Sequence, residues 1–272
     1  MKKILFLCDG DNYPRGAFQF LKMMNAQEPV FVKGIFFTPV DYEQLINLSY
    51  MPLTAPYERM KSAEIAELSK SREQFDHDCS LAGIRYIVSE RDSEWNKELL
   101  VKESRYADCI LISEELFCSQ TLDSQPNFFM QELLRGSESP VIVVPEKFKA
   151  PERLVFAFDG KRESVYAMKQ FTYLFPGLLE LPAQFVYFSP SGQPLPDEDL
   201  LQEYARWHVN AIGSASLEFD PKRYFSTWLE DRKNAFLITG SYSRSGFSTL
   251  LRPSFADNVI REHVCPVFIA HV

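Results

Sequence analysis

The apolar positions of the chain gather into short unbroken runs separated by stretches of helical period. Ile4 to Cys8, Cys109 to Ile112 and Val141 to Val144 are such runs; Val30 to Phe37, interrupted only by Lys33-Gly34, and Arg85 to Val88, opened by Arg85, are mainly apolar. Amphipathic stretches lie between them at 15–24, 57–81, 94–104 and 127–134. An unbroken apolar run has no polar face to turn to water, so each predicts a strand covered on both sides. Strands of this kind alternating with helices predict an α/β fold built on a parallel sheet.

The same order returns after residue 150. Ile4-Leu5-Phe6-Leu7-Cys8-Asp9-Gly10 is echoed by Leu154-Val155-Phe156-Ala157-Phe158-Asp159-Gly160, and an amphipathic segment follows each. Near the other end, Ser139-Pro140-Val141-Ile142-Val143-Val144 is echoed by Cys265-Pro266-Val267-Phe268-Ile269-Ala270. The repeat predicts two tandem five-stranded units, residues 1–147 and 151–272, meeting at the polar stretch Pro145 to Arg153. Asp9 and Asp159 are 150 positions apart but Pro140 and Pro266 only 126, so the second copy is 24 residues shorter. The shortening falls around the second helix, where 42–81 has only 198–212 as its counterpart. The apolar connection from Tyr42 to Tyr57 reads as a lid over its own domain, with a gate or a partner surface as the functional alternatives.

Composition narrows the partners. The 272 residues carry 29 Lys+Arg against 37 Asp+Glu, a net charge of −8. That balance lacks the whole-molecule field that draws nucleic acid or an anionic membrane, and neither is expected. The apolar start stops at Asp9, short of the roughly 7–15 residues of a signal-peptide core. No run approaches the ~20 apolar residues of a membrane span. Cys8, Cys79, Cys109, Cys118 and Cys265 are odd in number and mostly set in apolar runs, as reduced core thiols of a cytoplasmic protein would be.

Ligands of open α/β sheets bind beyond the carboxyl ends of the strands, where neighbouring connections leave to opposite faces. The positions to inspect are Asp9, Asp159 and the loops after Ile112 and Thr239. From Gly240 to Phe255 the second loop holds two glycines, six Ser or Thr hydroxyls, Arg244, Arg252 and no acid. Small residues and a following helix start suit a phosphate. The first-half counterpart, Ser113 to Pro126, has no Gly and no base but carries Glu114, Glu115 and Asp123. At 4 Å each acid would repel a phosphate charge by about 1 kcal/mol in water and about 4 at an effective dielectric of 20. The two aspartates also have a plain structural reading, since Asp-Gly favours tight turns and Asp caps helices. The four His show no metal spacing, and His77-Asp78-Cys79 lies on a helix where neighbours point apart. Dedicated catalytic machinery is not visible; a weak ATPase would need Mg²⁺, with Asp159 the one candidate to activate water.

Gly240-x2-Ser243-x9-Pro253-Ser254, ending in Cys265-Pro266-Val267, together with Asp-Gly after each first strand, resembles the signature of universal stress proteins. The likeness spans nearly the whole chain, as a tandem member. It implies a five-stranded parallel sheet per domain, two domains paired about a pseudo-twofold axis, and ATP or another adenine nucleotide in the crevice. Carried over, Asp159 would meet the base or ribose, Gly240 and Ser243 would line the triphosphate loop, and Ser254 would bind phosphate. Gly246, Pro253 and Phe255 complete the candidate set. Ser243 and Pro253 stand where the family's pattern has Gly, which removes easy positive φ at one and a backbone donor at the other. The expectation is a stress-response module binding a nucleotide or small ligand in the second half, with Mg²⁺ if a triphosphate. The alternative is a protein-interaction module formed by the two paired domains. Either admits a homodimer.

Overall fold

A computed structural model describes residues 1–9, 13–37, 55–89, 97–118, 128–189, 192–209, 211–240 and 255–270. The first half runs β1 (Lys2–Asp9), α1 (Arg15–Gln27), β2 (Val30–Phe37), α2 (Ala55–Ala82), β3 (Arg85–Val88), α3 (Lys97–Ser104), β4 (Cys109–Ser113), α4 (Glu114–Cys118), α5 (Phe128–Gly136) and β5 (Val141–Val144). The second runs β6 (Arg153–Ala157), α6 (Arg162–Leu174), β7 (Pro182–Phe188), α7 (Glu198–His208), β8 (Ala211–Leu217), α8 (Pro221–Glu230), β9 (Ala235–Thr239), α9 (Phe255–Arg261) and β10 (Val267–Ile269).

All ten strands form one sheet in the order β3-β2-β1-β4-β5-β10-β9-β6-β7-β8. The order within each half is therefore the same, and the halves meet edge to edge. β5 and β10 pair antiparallel, with Val267 opposite Val143 and Ile269 opposite Val141. The other neighbouring pairs among the described residues are parallel. Equivalent edges joined antiparallel relate the halves by a pseudo-twofold axis. This is the α/β architecture expected from the repeat, two tandem five-stranded parallel units.

Successive strand residues feed opposite faces. Ile4, Phe6 and Cys8 of β1 join one core with Phe20 of α1, Phe75 of α2, Phe171 of α6 and Leu201 of α7. Leu5 and Leu7 join the other, with Leu100, Leu133, Phe225 and Val259 from α3, α5, α8 and α9. Both cores cross the junction. Phe20 of the first half packs edge-on against Phe236 at 5.5 Å and Phe175 at 6.2 Å in the second, geometries favoured by the aromatic quadrupole. The length difference has a visible source, since α2 has 28 residues and its counterpart α7 only 11. The reading of 42–57 as a lid falls mostly outside the described residues.

Cys8, Cys79, Cys109 and Cys265 are all buried in the cores. Burial pushes Cys79 and Cys265 up to about 12 and raises Cys109 further, so all three stay protonated and unreactive at neutral pH. His77-Asp78-Cys79 does not converge: His77 is exposed while Cys79 packs inward. Among the described residues no helix is long and apolar enough to cross a membrane.

Candidate functional site

Within each half the connections diverge at one place. In the second half β6 leads through α6 to β7 on one side, while its other neighbour is β9. Ala157 is paired with Thr239 at the carboxyl ends of these strands. Gly240 follows Thr239 directly and Asp159 follows Ala157 after Phe158, so the fold brings these two predicted residues to adjacent strand ends. Ser243, Gly246, Pro253 and Ser254 lie outside the described residues. Phe255 opens α9, and its side chain is likewise outside the description.

Asp159 is held by its own turn. Gly160 adopts φ +74°, a conformation that glycine takes without strain. The Lys161 backbone N–H then donates to Asp159 Oδ1 at 3.0 Å, and the Lys161 ammonium lies 3.2 Å from Oδ2. Ser164 Oγ accepts from the Asp159 N–H at 3.4 Å and donates to the Lys161 carbonyl at 2.9 Å. Burial opposes ionisation of Asp159. The Lys161 N–H, the Ser164 hydroxyl and the Lys161 ammonium outweigh it and hold the carboxyl below the usual carboxylate range.

Gly240 is buried where β9 ends against the first turn of α6. A Cβ there would lie 2.1 Å from the Glu163 carbonyl oxygen and 2.5 Å from the Ser164 nitrogen. Both neighbours are backbone and cannot swing aside. The glycine thus brings the end of β9, and the start of the hydroxyl-rich loop, against the turn that carries Asp159.

The equivalent place in the first half, between β1 and β4, is built differently. Ser113 at the end of β4 accepts the Leu116 N–H on Oγ at 3.1 Å, capping α4. Glu114 is buried, and its Oε1 accepts the Glu146 N–H at 2.9 Å. Glu146 Oε2 in turn accepts the N–H of Gly16 at the start of α1, 3.1 Å away. Glu114 Oε2 faces His263 Nδ1 at 2.8 Å, across the junction between the halves. Among the described residues that buried oxygen has no other partner, so the contact is a hydrogen bond only when Nδ1 carries a proton. Burial and the nearby Glu146 and Glu114 carboxylates raise Glu115. A polyphosphate would meet three carboxylates here, and the residues do not fit one.

Sequence reading marked Glu114 as repulsive to phosphate but missed its burial and its reach to His263. Its position immediately after a strand gave no signal of this, since a charge there ordinarily opens an exposed loop. Apart from the crevice, a cavity of about 220 Å³ lies between the C-terminal ends of α1 and α6, lined by Lys2, Glu28, Phe175 and Gly177 among others. It is smaller than the ~300 Å³ and upward of ordinary ligand pockets. No metal-holding group of three His, Cys, Asp or Glu occurs among the described residues.

No family model matches the sequence, and no curated protein matches it. Solved structures do. A universal stress protein from Archaeoglobus fulgidus DSM 4304 superposes with a TM-score of 0.65 at 15% identity, covering 99% of this chain and 96% of that one. A functionally unknown protein from Pseudomonas aeruginosa PAO1 gives 0.55 at 12% identity, covering 100% and 92%. A putative universal stress protein from Pseudomonas aeruginosa UCBPP-PA14 gives 0.53 at 12% identity, covering 100% and 93%. At such identities the likeness is one of fold, and it runs through both halves. The chain has the universal stress protein fold, laid out twice along one polypeptide.

Proposed function

We propose that the protein is a nucleotide-binding module with a single site, in the second half. The observation that carries this reading is the contrast at the two divergence points. The second places Asp159 beside Gly240, from which a loop of hydroxyls and arginines without an acid departs. The first is filled by the buried Glu114 and its neighbours. The half-buried Asp159, kept ionised, suits a hydrogen bond from a ribose hydroxyl or a base amino group. Ser243 and Ser254, with the backbone at Gly240 and Gly246, would supply phosphate contacts ahead of α9, which Phe255 opens. Mg²⁺ would accompany a triphosphate and neutralise part of its charge.

Isothermal titration with ATP, ADP and AMP, with and without Mg²⁺, tests it. The expected result is one nucleotide per chain, weakened by Asp159→Ala and unchanged by Glu115→Gln. Absence of heat with all three overturns the reading.

A second reading is favoured by Gly240 itself. Its lack of a side chain is required by the Glu163 carbonyl, with or without a ligand, and Asp159 is already engaged by Lys161 and Ser164. On this reading the paired halves form a protein-interaction module. Retention of a partner that is indifferent to added nucleotide would support it.

A further inference from the structure

Among the described residues the ten-stranded sheet ends at β3 and β8. β8, Ala-Ile-Gly-Ser-Ala-Ser-Leu, is seven residues long and contains neither a charge nor a proline. Those are the residues that commonly guard a free edge. The Leu217 carbonyl accepts the Ser189 N–H on the β7 side at 2.9 Å. Backbone groups alternate sides along a strand, so those of Ile212, Ser214 and Ser216 point to the free edge.

α7 flanks this edge. Its Tyr204 hydroxyl lies 2.8 Å from Thr172 Oγ1 of α6, which fixes its inner side. Glu198 Oε1 accepts from Ser214 Oγ of β8 at 3.3 Å, which fixes the side nearest the edge. From Glu198 that side continues at four-residue spacing through Gln202 to Arg206. Along it runs an open groove of about 700 Å³, lined by Glu198, Asp199, Gln202, Glu203, Arg206 and Trp207. The first turn of α7 is acidic and its last turn basic.

We propose that β8 and α7 form a twofold interface with a second copy of this chain. Antiparallel pairing of two β8 edges places both α7 helices side by side on one face, running in opposite directions. Their axes then stand about two strand spacings apart, ~10 Å, near the distance at which helices pack. The stripe complements itself in that arrangement: Glu198 meets Arg206 of the partner subunit, Gln202 sits beside the axis, and Arg206 meets the partner's Glu198. The same geometry already joins the two halves of one chain, where antiparallel β5 and β10 bring Phe20 of α1 onto Phe175 after α6. Pairing at β8 continues the sheet to twenty strands.

Light scattering coupled to size exclusion, over a range of concentrations, should give twice the chain mass. Arg206→Glu sets like charges across the axis and should weaken the dimer on the order of tenfold or more. Glu198→Arg should do the same, and the double variant should restore dimerisation. Gln202→Cys should form a disulfide-linked dimer on mild oxidation. Because both charged positions are exposed, the variants should melt like the parent. A monomeric parent, a dimer indifferent to either single reversal, or a double variant that does not recover overturns the proposal.

Discussion

The two divergence points occupy equivalent places in one repeated topology and hold opposite chemistry. At β6 and β9 a carboxylate is kept ionised by surrounding donors, and the glycine beside it lets the chain pass close to the start of α6. At β1 and β4 a carboxylate is buried, caps the backbone beyond β5 and reaches into the other half. Repetition has preserved the strands and released the loops, because the apolar runs must all fill the same two cores while each loop answers only to its neighbours. The first half supplies an edge and a core; the second, on the proposed reading, supplies the ligand site.

The strongest test of this contrast is to fill each close approach. Gly240→Ala and Gly16→Ala would set a Cβ 2.1 Å and 2.0 Å from a backbone carbonyl oxygen, of Glu163 and Pro145 respectively. Each is expected to cost about 3 kcal/mol, the upper part of the overpacking range, read as a fall in melting midpoint. Equal losses would show that both glycines serve packing. A Gly240→Ala variant as stable as the parent would break the account of that position.

Next is the link across the junction. Glu114→Ala leaves the Glu146 N–H without its partner and should cost about 2–3 kcal/mol, while His263→Ala should cost about 1–2. Summed losses well above the double variant's would show that the two act as one unit. Strict additivity would count against the bridge.

Asp159 and Glu115 should respond to pH in opposite senses. The depressed Asp159 contributes stability that is present above its ordinary value near 3.8 and lost as pH falls through its lower folded value. Asp159→Asn should therefore destabilise at neutral pH and lose its effect in strong acid, followed by denaturant melts across pH. The raised Glu115 is the reverse: its ionised form opposes folding above the folded pKa, and the penalty vanishes below its ordinary value near 4.5. Glu115→Gln should stabilise by less than about 1 kcal/mol at neutral pH, the smallest effect expected, because solvent screens the site. Destabilisation by Glu115→Gln would mean that its charge is used.

Much of the architecture was legible because the apolar runs are unbroken and occur twice. The echo of Ile4 to Gly10 in Leu154 to Gly160 identified the central strands of both halves. The join was less legible: Val141 to Val144 and Val267 to Ile269 are edges of a kind that would pair with any partner, and only the assembled sheet shows them meeting each other. Glu114 was hidden for a different reason. A charge after a strand reads as the start of an exposed loop, and the partner that makes its burial tolerable is His263, far along the chain. At the candidate site Gly240 was singled out from its loop pattern, but its close contact with Glu163 depends on how α6 is set against β9. No local pattern encodes that.

The antiparallel junction also bears on synthesis. When the first half leaves the ribosome, β5 presents the buried-type edge Val141 to Val144 and one flank of a shared core, yet β10 is made more than a hundred residues later. At about 5–20 residues per second that exposure lasts on the order of ten seconds. Nascent chains crowded on one messenger would each display the same unpaired edge in that interval, so the seam that unites the finished molecule is also where neighbouring chains can exchange halves.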